Sequence, residues 1–167
     1  MQGIAHVYGD NIDTDRIIAG KYTKTLNTQD LVDHVLEDLD PGFRERLCKG
    51  DFLVAGENFG CGSSREQAPL ALKKAGVGAV VAKSFSRIFF RNSINIGLAL
   101  VTVPDHKIEQ GSSLSFDGER GTLAVLGDNI IYDCAPIPPM MAEIMAAGGL
   151  VGFLKNRDSY AFEGGML

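Results

Sequence analysis

The residues most able to do chemistry lie in one stretch, GENFGCGSSREQAP, at residues 56–69. Ser63 and Ser64 stand directly before Arg65, and glycines precede them at alternate positions. A serine hydroxyl can act as a nucleophile or as a base, a guanidinium binds a carboxylate through two parallel hydrogen bonds, and glycine lets a ligand approach the backbone. The stretch therefore predicts a carboxylate-binding site with a reactive hydroxyl. The alternative is an ordinary helix with two capping serines and a solvated arginine.

The same stretch predicts how these groups are positioned. A buried strand at 52–55 is followed by a glycine loop, and both S-x-x-E from Ser63 and S-x-x-Q from Ser64 fit a capping box. We therefore expect a helix that begins at Ser63 or Ser64 and stops at Gly76. A helix N-terminus presents free N–H groups and a positive dipole end to an anion.

Other nucleophilic chemistry fits the sequence less well. A hydrolase would need a G-x-S-x-G elbow and a histidine partner, but the run is GCGSSR, and no motif surrounds the three histidines. Cys61 near a helix start could be a reactive thiol, although a small buried filler is the favoured interpretation. The serine therefore remains the leading reactive group.

Two further stretches carry charge. GDNIDTDR, at 9–16, holds three carboxylates, but Arg16 follows where a calcium loop needs glycine. Substrate-orienting groups or Asx turns remain the alternatives there.

The second charged stretch is KSFSRIFFRN at 83–92. It places Arg87 and Arg91 on one helix face opposite an apolar face, which indicates either a solvated surface or a docking site for an acidic partner.

Composition excludes several classes of protein. The chain has 167 residues and a net charge of −5, which fits one domain and argues against nucleic-acid or anionic-membrane partners. No apolar run approaches the roughly 18–20 residues that span a bilayer, and the first residues lack a secretory signal, so we expect a cytoplasmic protein. Three cysteines without a C-x-x-C pair predict neither a disulfide framework nor a self-contained metal site.

The elements that must position these groups follow from the apolar periodicity. Strand and helix alternate through the middle, which predicts parallel pairing with helices as cover, and from residue 112 to 134 the period becomes two, which predicts an antiparallel meander. Residues 1–167 should form one α/β domain with a mixed sheet, with a loose tail after about residue 158. We expect strands at 3–8, 52–55, 78–82 and 98–103, and helices at 27–39, 41–48, 63–75, 84–95, 138–147 and 150–157.

Four segments in order resemble the aconitase superfamily, in particular the small subunits of its dehydratases. These segments are GDNIDTDRII at 9–18, NFGCGSSREQAP at 58–69, AKSFSRIFFRNSINIGL at 82–98 and AGGLV at 147–151, and the likeness extends over almost the whole chain. The resemblance implies a swivelling β/β/α domain and a hydro-lyase of leucine biosynthesis. It also implies a larger partner subunit that holds a [4Fe-4S] cluster whose iron acts as a Lewis acid, so this chain alone would bind no metal.

The resemblance also implies roles for particular residues. Ser63 matches the serine that removes the proton next to a carboxylate, while Ser64 and Arg65 match groups that bind the substrate carboxylate. Thr14 and Asp15 match a pair that lines the site. A serine alkoxide needs help to exist near neutral pH, and N–H groups at a helix start with nearby positive charge would supply it.

The segment at 20–26 matches the loop that senses the variable group of the substrate. Its candidate specificity residues are Tyr22, Thr23, Lys24 and Thr25. In the commoner family form leucine follows the tyrosine, and a basic residue such as Lys24 suits an extra carboxylate.

Several functions therefore remain open. The leading one is a small subunit that acts on isopropylmalate, and the substrate could also be homoaconitate, dimethylmalate or citramalate/citraconate. A non-catalytic anion-binding module is the alternative from a different class. The isolated chain could also form a homo-oligomer.

Overall fold

A seven-stranded mixed sheet organises the chain. The computed structural model describes residues 1–24 and 27–156, and its strands follow the order β4-β3-β2-β1-β5-β6-β7. β1 to β4 pair in parallel, and β5 joins β1 antiparallel. The strands are β1 (Gln2–Val7), β2 (Phe52–Ala55), β3 (Ala79–Ala82), β4 (Ala99–Thr102), β5 (Ser113–Asp117), β6 (Thr122–Leu126) and β7 (Ile130–Asp133).

The helices are α1 (Thr14–Ile17), α2 (Thr28–Asp33), α3 (Phe43–Arg46), α4 (Gln67–Ala75), α5 (Arg87–Ile96), α6 (Pro139–Ala146) and α7 (Leu150–Lys155), with a 3-10 turn at Gly20–Tyr22. Helices α1 to α5 cover one face of the parallel strands, and α6 and α7 pack beside α5. No helix in the described part of the chain is long and apolar enough to cross a membrane.

Two apolar cores lie on opposite faces of the sheet. Leu53 and Ala55 of β2 point into the first core, with residues of α2 to α5. Phe52 and Val54 point into the second core, with Leu114 of β5 and with residues of β6. This alternation is the period of two expected along a strand. The sheet therefore curls, so that its antiparallel strands cover the second face of its parallel strands.

The sequence predicted this architecture correctly. The α/β class, the mixed sheet and the meander at 112–134 are confirmed, and so is the helix at 84–95, which begins after Ser86 and ends at Gly97. The strand and helix limits elsewhere shift by a few residues. The predicted tail after residue 158 lies outside the described residues.

Two helix predictions before β2 were wrong in length. The helix expected at 27–39 ends at Asp33, because Leu36 adopts a left-handed backbone (φ 57°) and its N–H donates to the Ile17 carbonyl at 2.9 Å. A tertiary hydrogen bond therefore replaces the continued helix. The second short helix, expected at 41–48, covers only Phe43–Arg46.

Candidate functional site

The loops after β1, β2 and β3 meet at one edge of the sheet. Short parallel bridges join Asp13 to Cys61 and Phe59 to Phe85. The Thr14 N–H donates to the Cys61 carbonyl at 2.9 Å. Because the carboxyl ends of parallel strands share an edge, side chains distant in sequence come together there.

Thr14 and Ser63 form the centre of this edge. Their hydroxyl oxygens lie 3.1 Å apart, and the Ser63 N–H donates to Thr14 Oγ1 at 3.1 Å. Thr14 is buried, whereas Ser63 is half-buried. Since Thr14 Oγ1 already accepts from the Ser63 backbone, its own proton is free to be donated to Ser63 Oγ, which would stabilise negative charge on that atom.

Arg65 lies beside this pair. Its guanidinium donates to the Asp15 carboxylate, and a Cβ placed on Gly20 would lie 3.5 Å from the guanidinium nitrogens. The side chains of the ion pair are 32% and 59% exposed. Exposed ion pairs contribute little to stability, so Arg65 can exchange Asp15 for the carboxylate of a ligand at small energetic cost.

The predicted helix start at the serines was wrong. α4 begins at Gln67, and its N-cap, Glu66, makes no side-chain capping bond. Ser63 is bound to Thr14 instead, and the Ser64 carbonyl accepts from Asn92 Nδ2 at 3.1 Å. These long-range bonds replace the capping boxes, so the partner of the Ser63 hydroxyl is the Thr14 hydroxyl and not an N–H group at a helix terminus.

Glycines allow the loop to pack this tightly. Gly60 has a φ of 73°, and a Cβ there would lie 2.2 Å from Cγ of Phe89. A Cβ on Gly62 would lie 3.3 Å from Thr14 Oγ1. The backbone conformation and the close approach both require glycine at residue 60.

Asn92 is a site residue that sequence reasoning missed. It is only 9% exposed and holds the carbonyl of Ser64 from α5. A polar side chain within an apolar helix repeat was the available signal, because buried amides need hydrogen-bond partners.

The segment proposed to sense the substrate is anchored at its first half. The Tyr22 ring stacks on His34, with ring centroids 3.8 Å apart and planes within 4°, and Lys21 Nζ lies 4.7 Å from the Tyr22 centroid. His34 Nδ1 is 2.7 Å from Glu37 Oε2. A hydrogen bond from Tyr22, aided by His34, lowers the pKa of the Glu37 carboxyl although desolvation opposes this.

The rest of that segment is polar. The Thr23 hydroxyl donates to the Gly20 carbonyl at 2.9 Å, and Lys24 is exposed. Thr25 lies outside the described residues. His34, which no motif pointed to, therefore joins the segment as the residue that fixes Tyr22.

The acidic stretch does not gather into a cation site. Asp13 accepts from the Arg16 N–H at 2.8 Å as the cap of α1, Asp10 accepts from the Glu57 N–H at 2.7 Å, and Asp15 binds Arg65. Asp13 therefore serves as a helix cap, with its bond three residues on, where an Asx turn would bond two residues on.

The donor set of the chain does not suit an iron–sulfur cluster either. Within residues 1–24 and 27–156 no three His, Cys, Asp or Glu side chains are grouped to hold a metal ion. Cys48, Cys61 and Cys134 are free thiols on separate elements. A cluster needs several thiolates around one point, which the described residues do not provide.

Comparisons with known proteins agree on one family. Residues 10–106 match the family described as the aconitase C-terminal domain. A 3-isopropylmalate dehydratase small subunit of Wolinella succinogenes is 52% identical over 94% of this chain and 95% of its own length. A 3-isopropylmalate dehydratase small subunit 1 of Archaeoglobus fulgidus is 51% identical over 92% of this chain and 96% of its own length. The crystal structure of a 3-isopropylmalate dehydratase from Methanocaldococcus jannaschii covers 92% of both chains with a TM-score of 0.86 and 44% identity.

Proposed function

This chain belongs to the aconitase family and, within it, to the 3-isopropylmalate dehydratase small subunits; from that premise we propose that it supplies the base and the carboxylate contacts for the isomerisation of isopropylmalate. The observation that carries the proposal is the convergence of Thr14, Ser63 and Arg65 at one open sheet edge. A base, a proton donor that stabilises its charged form and a carboxylate-binding cation then stand together.

Ser63 acts as the base in this proposal. As the alkoxide, its Oγ accepts the proton from the carbon next to a substrate carboxylate while hydroxide leaves the neighbouring carbon and the double bond forms. On rehydration Ser63 returns the proton to the carbon that lost the hydroxyl, and hydroxide adds to the carbon that lost the proton. A neutral hydroxyl is a weak base, so its alkoxide must be stabilised. The Thr14 hydroxyl at 3.1 Å and the nearby Arg65 guanidinium support this role, because donors fixed in advance stabilise charge as it develops.

Arg65 and its neighbours bind the substrate carboxylate. Arg65 leaves Asp15 for the substrate, and the exposed Ser64 adds a hydroxyl. Asp15 and Thr14 line the opposite side and orient the bound acid. A guanidinium fork fixes the direction of a carboxylate as well as its position, so the carbon that loses the proton is held toward Ser63.

The partner in this proposal is a large subunit. The relatives are named as small subunits, and the aconitase family suggests an iron–sulfur cluster in the complex. Since the described donors of this chain do not suit that cluster, we assign it to the large subunit. The contribution of this chain is the proton transfer and carboxylate binding described above.

Isopropylmalate is the substrate we propose, with the segment Tyr22, Thr23, Lys24 and Thr25 as the part that senses its variable group. The test is turnover by the chain reconstituted with its large subunit under anaerobic conditions. Isopropylmalate, homocitrate, citramalate and dimethylmalate are compared side by side, and the highest kcat/KM is expected for isopropylmalate.

Two results of that experiment would contradict the proposal. Preference for homocitrate would assign Lys24 to an extra carboxylate and make the chain a homoaconitase subunit. Binding of the acids without turnover of any of them, in a complex with an intact cluster, would favour a non-catalytic anion-binding module.

A further inference from the structure

α5 exposes a face that the site does not use. Arg87 and Arg91 are exposed, and Ile88 is 47% exposed. A groove of about 590 Å³ runs along the helix toward the edge strand β4. Apolar and basic side chains line it, including Phe85, Arg87, Phe90, Arg91, Ile94 and Thr102.

The charge of this groove differs from that of the chain. The whole chain carries a net charge of −5, yet no carboxylate lines the groove. In the part of the chain that the structure describes, neither Arg87 nor Arg91 forms an ion pair. Two like charges one helical turn apart repel each other, so an acidic occupant would be bound by both.

The exposed face is continuous with the site. The same helix holds the Ser64 carbonyl through Asn92, and Phe89 packs against Gly60. Ile88 lies one turn before Asn92 on the same side of α5. A polypeptide that covered Ser63 to Arg65 would therefore also reach Ile88 and the two arginines.

We propose that this face of α5, with its groove, is a docking surface for an acidic segment of the large subunit. The inference rests on the proposed function, which requires such a partner. Carboxylates of that segment bind Arg87 and Arg91, and an apolar side chain enters between Phe90 and Ile94. Arginine and aromatic residues beside a pocket are typical of the residues that dominate binding energy at interfaces.

The test is the affinity of the full chain for its large subunit, measured by titration calorimetry at several salt concentrations. The double variant Arg87→Glu/Arg91→Glu is expected to bind about a hundredfold more weakly, because both arginines then repel the acidic segment. Arg87→Gln/Arg91→Gln should bind less weakly than the charge reversal and lose most of the salt dependence of the wild type.

A matched control carries the same change of charge elsewhere. Lys107→Glu/Arg120→Glu alters two exposed cations on the side of the meander and should keep wild-type affinity. Far-ultraviolet circular dichroism verifies that every variant is folded.

The outcomes separate the inference from the proposed function. If the wild type fails to bind the large subunit, the proposed function itself fails. If the wild type binds and Arg87→Glu/Arg91→Glu binds within about threefold of it, the docking surface is wrong while the function stands. If sedimentation shows that Arg87→Glu/Arg91→Glu loses only the ability to self-associate, the groove binds a second copy of the chain, and the proposal is also overturned.

Discussion

The parallel and antiparallel halves of the sheet contribute differently to this molecule. Every candidate site residue in the described chain follows β1, β2 or β3, whereas β5, β6 and β7 provide none. Parallel strands deliver all their carboxyl ends to one edge, but successive antiparallel strands alternate between edges. Topology alone therefore concentrates the chemistry in the parallel half.

The two halves also differ in burial. Every residue of β2 and β3 is buried, because helices cover one face and the curled meander covers the other. β5 and β6 bury alternate residues, and β7 leaves Ile131 66% exposed. The meander thus closes the second core, while the doubly covered strands hold the site loops in fixed positions.

The largest expected effect concerns one glycine in each half. Gly127→Ala, at a meander turn with φ 99° and open space around it, should lower the free energy of unfolding by about 1–2 kcal/mol through backbone strain. Gly60→Ala introduces the same backbone strain, and the clash of its Cβ with Phe89 should lower the free energy of unfolding by about 1–3 kcal/mol more. Denaturant unfolding of both variants checks this, and equal losses would show that the site loop is no more tightly packed than the meander.

The next effect concerns the Thr14 hydroxyl, which is hydrogen-bonded to Ser63. Thr14→Val should lower kcat of the reconstituted complex by about 10²–10³, the usual effect of removing one donor to a developing anion. Thr14→Ser, which keeps the hydroxyl, should retain most of the rate. Thr122→Val in β6 is the control and should leave kcat unchanged; a comparable loss there would end the contrast between the halves.

The smallest effect concerns the carboxylate fork. Arg65→Lys should raise KM about tenfold with a smaller change in kcat, because a point charge replaces two directed hydrogen bonds. Arg120→Lys, on an exposed arginine beside β5, should change neither constant. Steady-state kinetics of both variants decide the matter, and an unaltered KM for Arg65→Lys would remove this residue from substrate binding.

The sequence was sufficient for the strands and for their sorting into two halves. Apolar runs marked the buried parallel strands, alternation marked the meander, and Gly76 marked a helix end that the structure confirms. These signals are local, so a single sequence contains them.

The geometry of the site depends on contacts that are not local. Ser63 and Thr14 are 49 positions apart, and their mutual hydrogen bonds override the capping boxes that the sequence favoured. In the same way, the helix ends before Leu36, whose N–H donates to the Ile17 carbonyl. Local propensity predicts an element well only where no tertiary partner offers a better hydrogen bond.

The structure shows which of the predicted site residues lie together. The family resemblance named Ser63, Ser64, Arg65, Thr14 and Asp15, and the structure pairs Ser63 with Thr14 and Arg65 with Asp15. Asn92 and His34 were missed because each acts through a neighbour, Ser64 or Tyr22. The catalytic and binding roles of the five residues named by the resemblance remain predictions.

The central claim is that the Ser63 hydroxyl takes the proton, and dehydration by a Ser63→Ala complex tests it most directly. The reconstituted complex is mixed with isopropylmalate under anaerobic conditions, formation of the alkene is followed by its ultraviolet absorbance, and Ser115→Ala in β5 is the control. The dehydration rate should fall by about 10²–10⁴, with affinity for substrate and for the large subunit retained. Dehydration by Ser63→Ala at close to the wild-type rate would contradict the account.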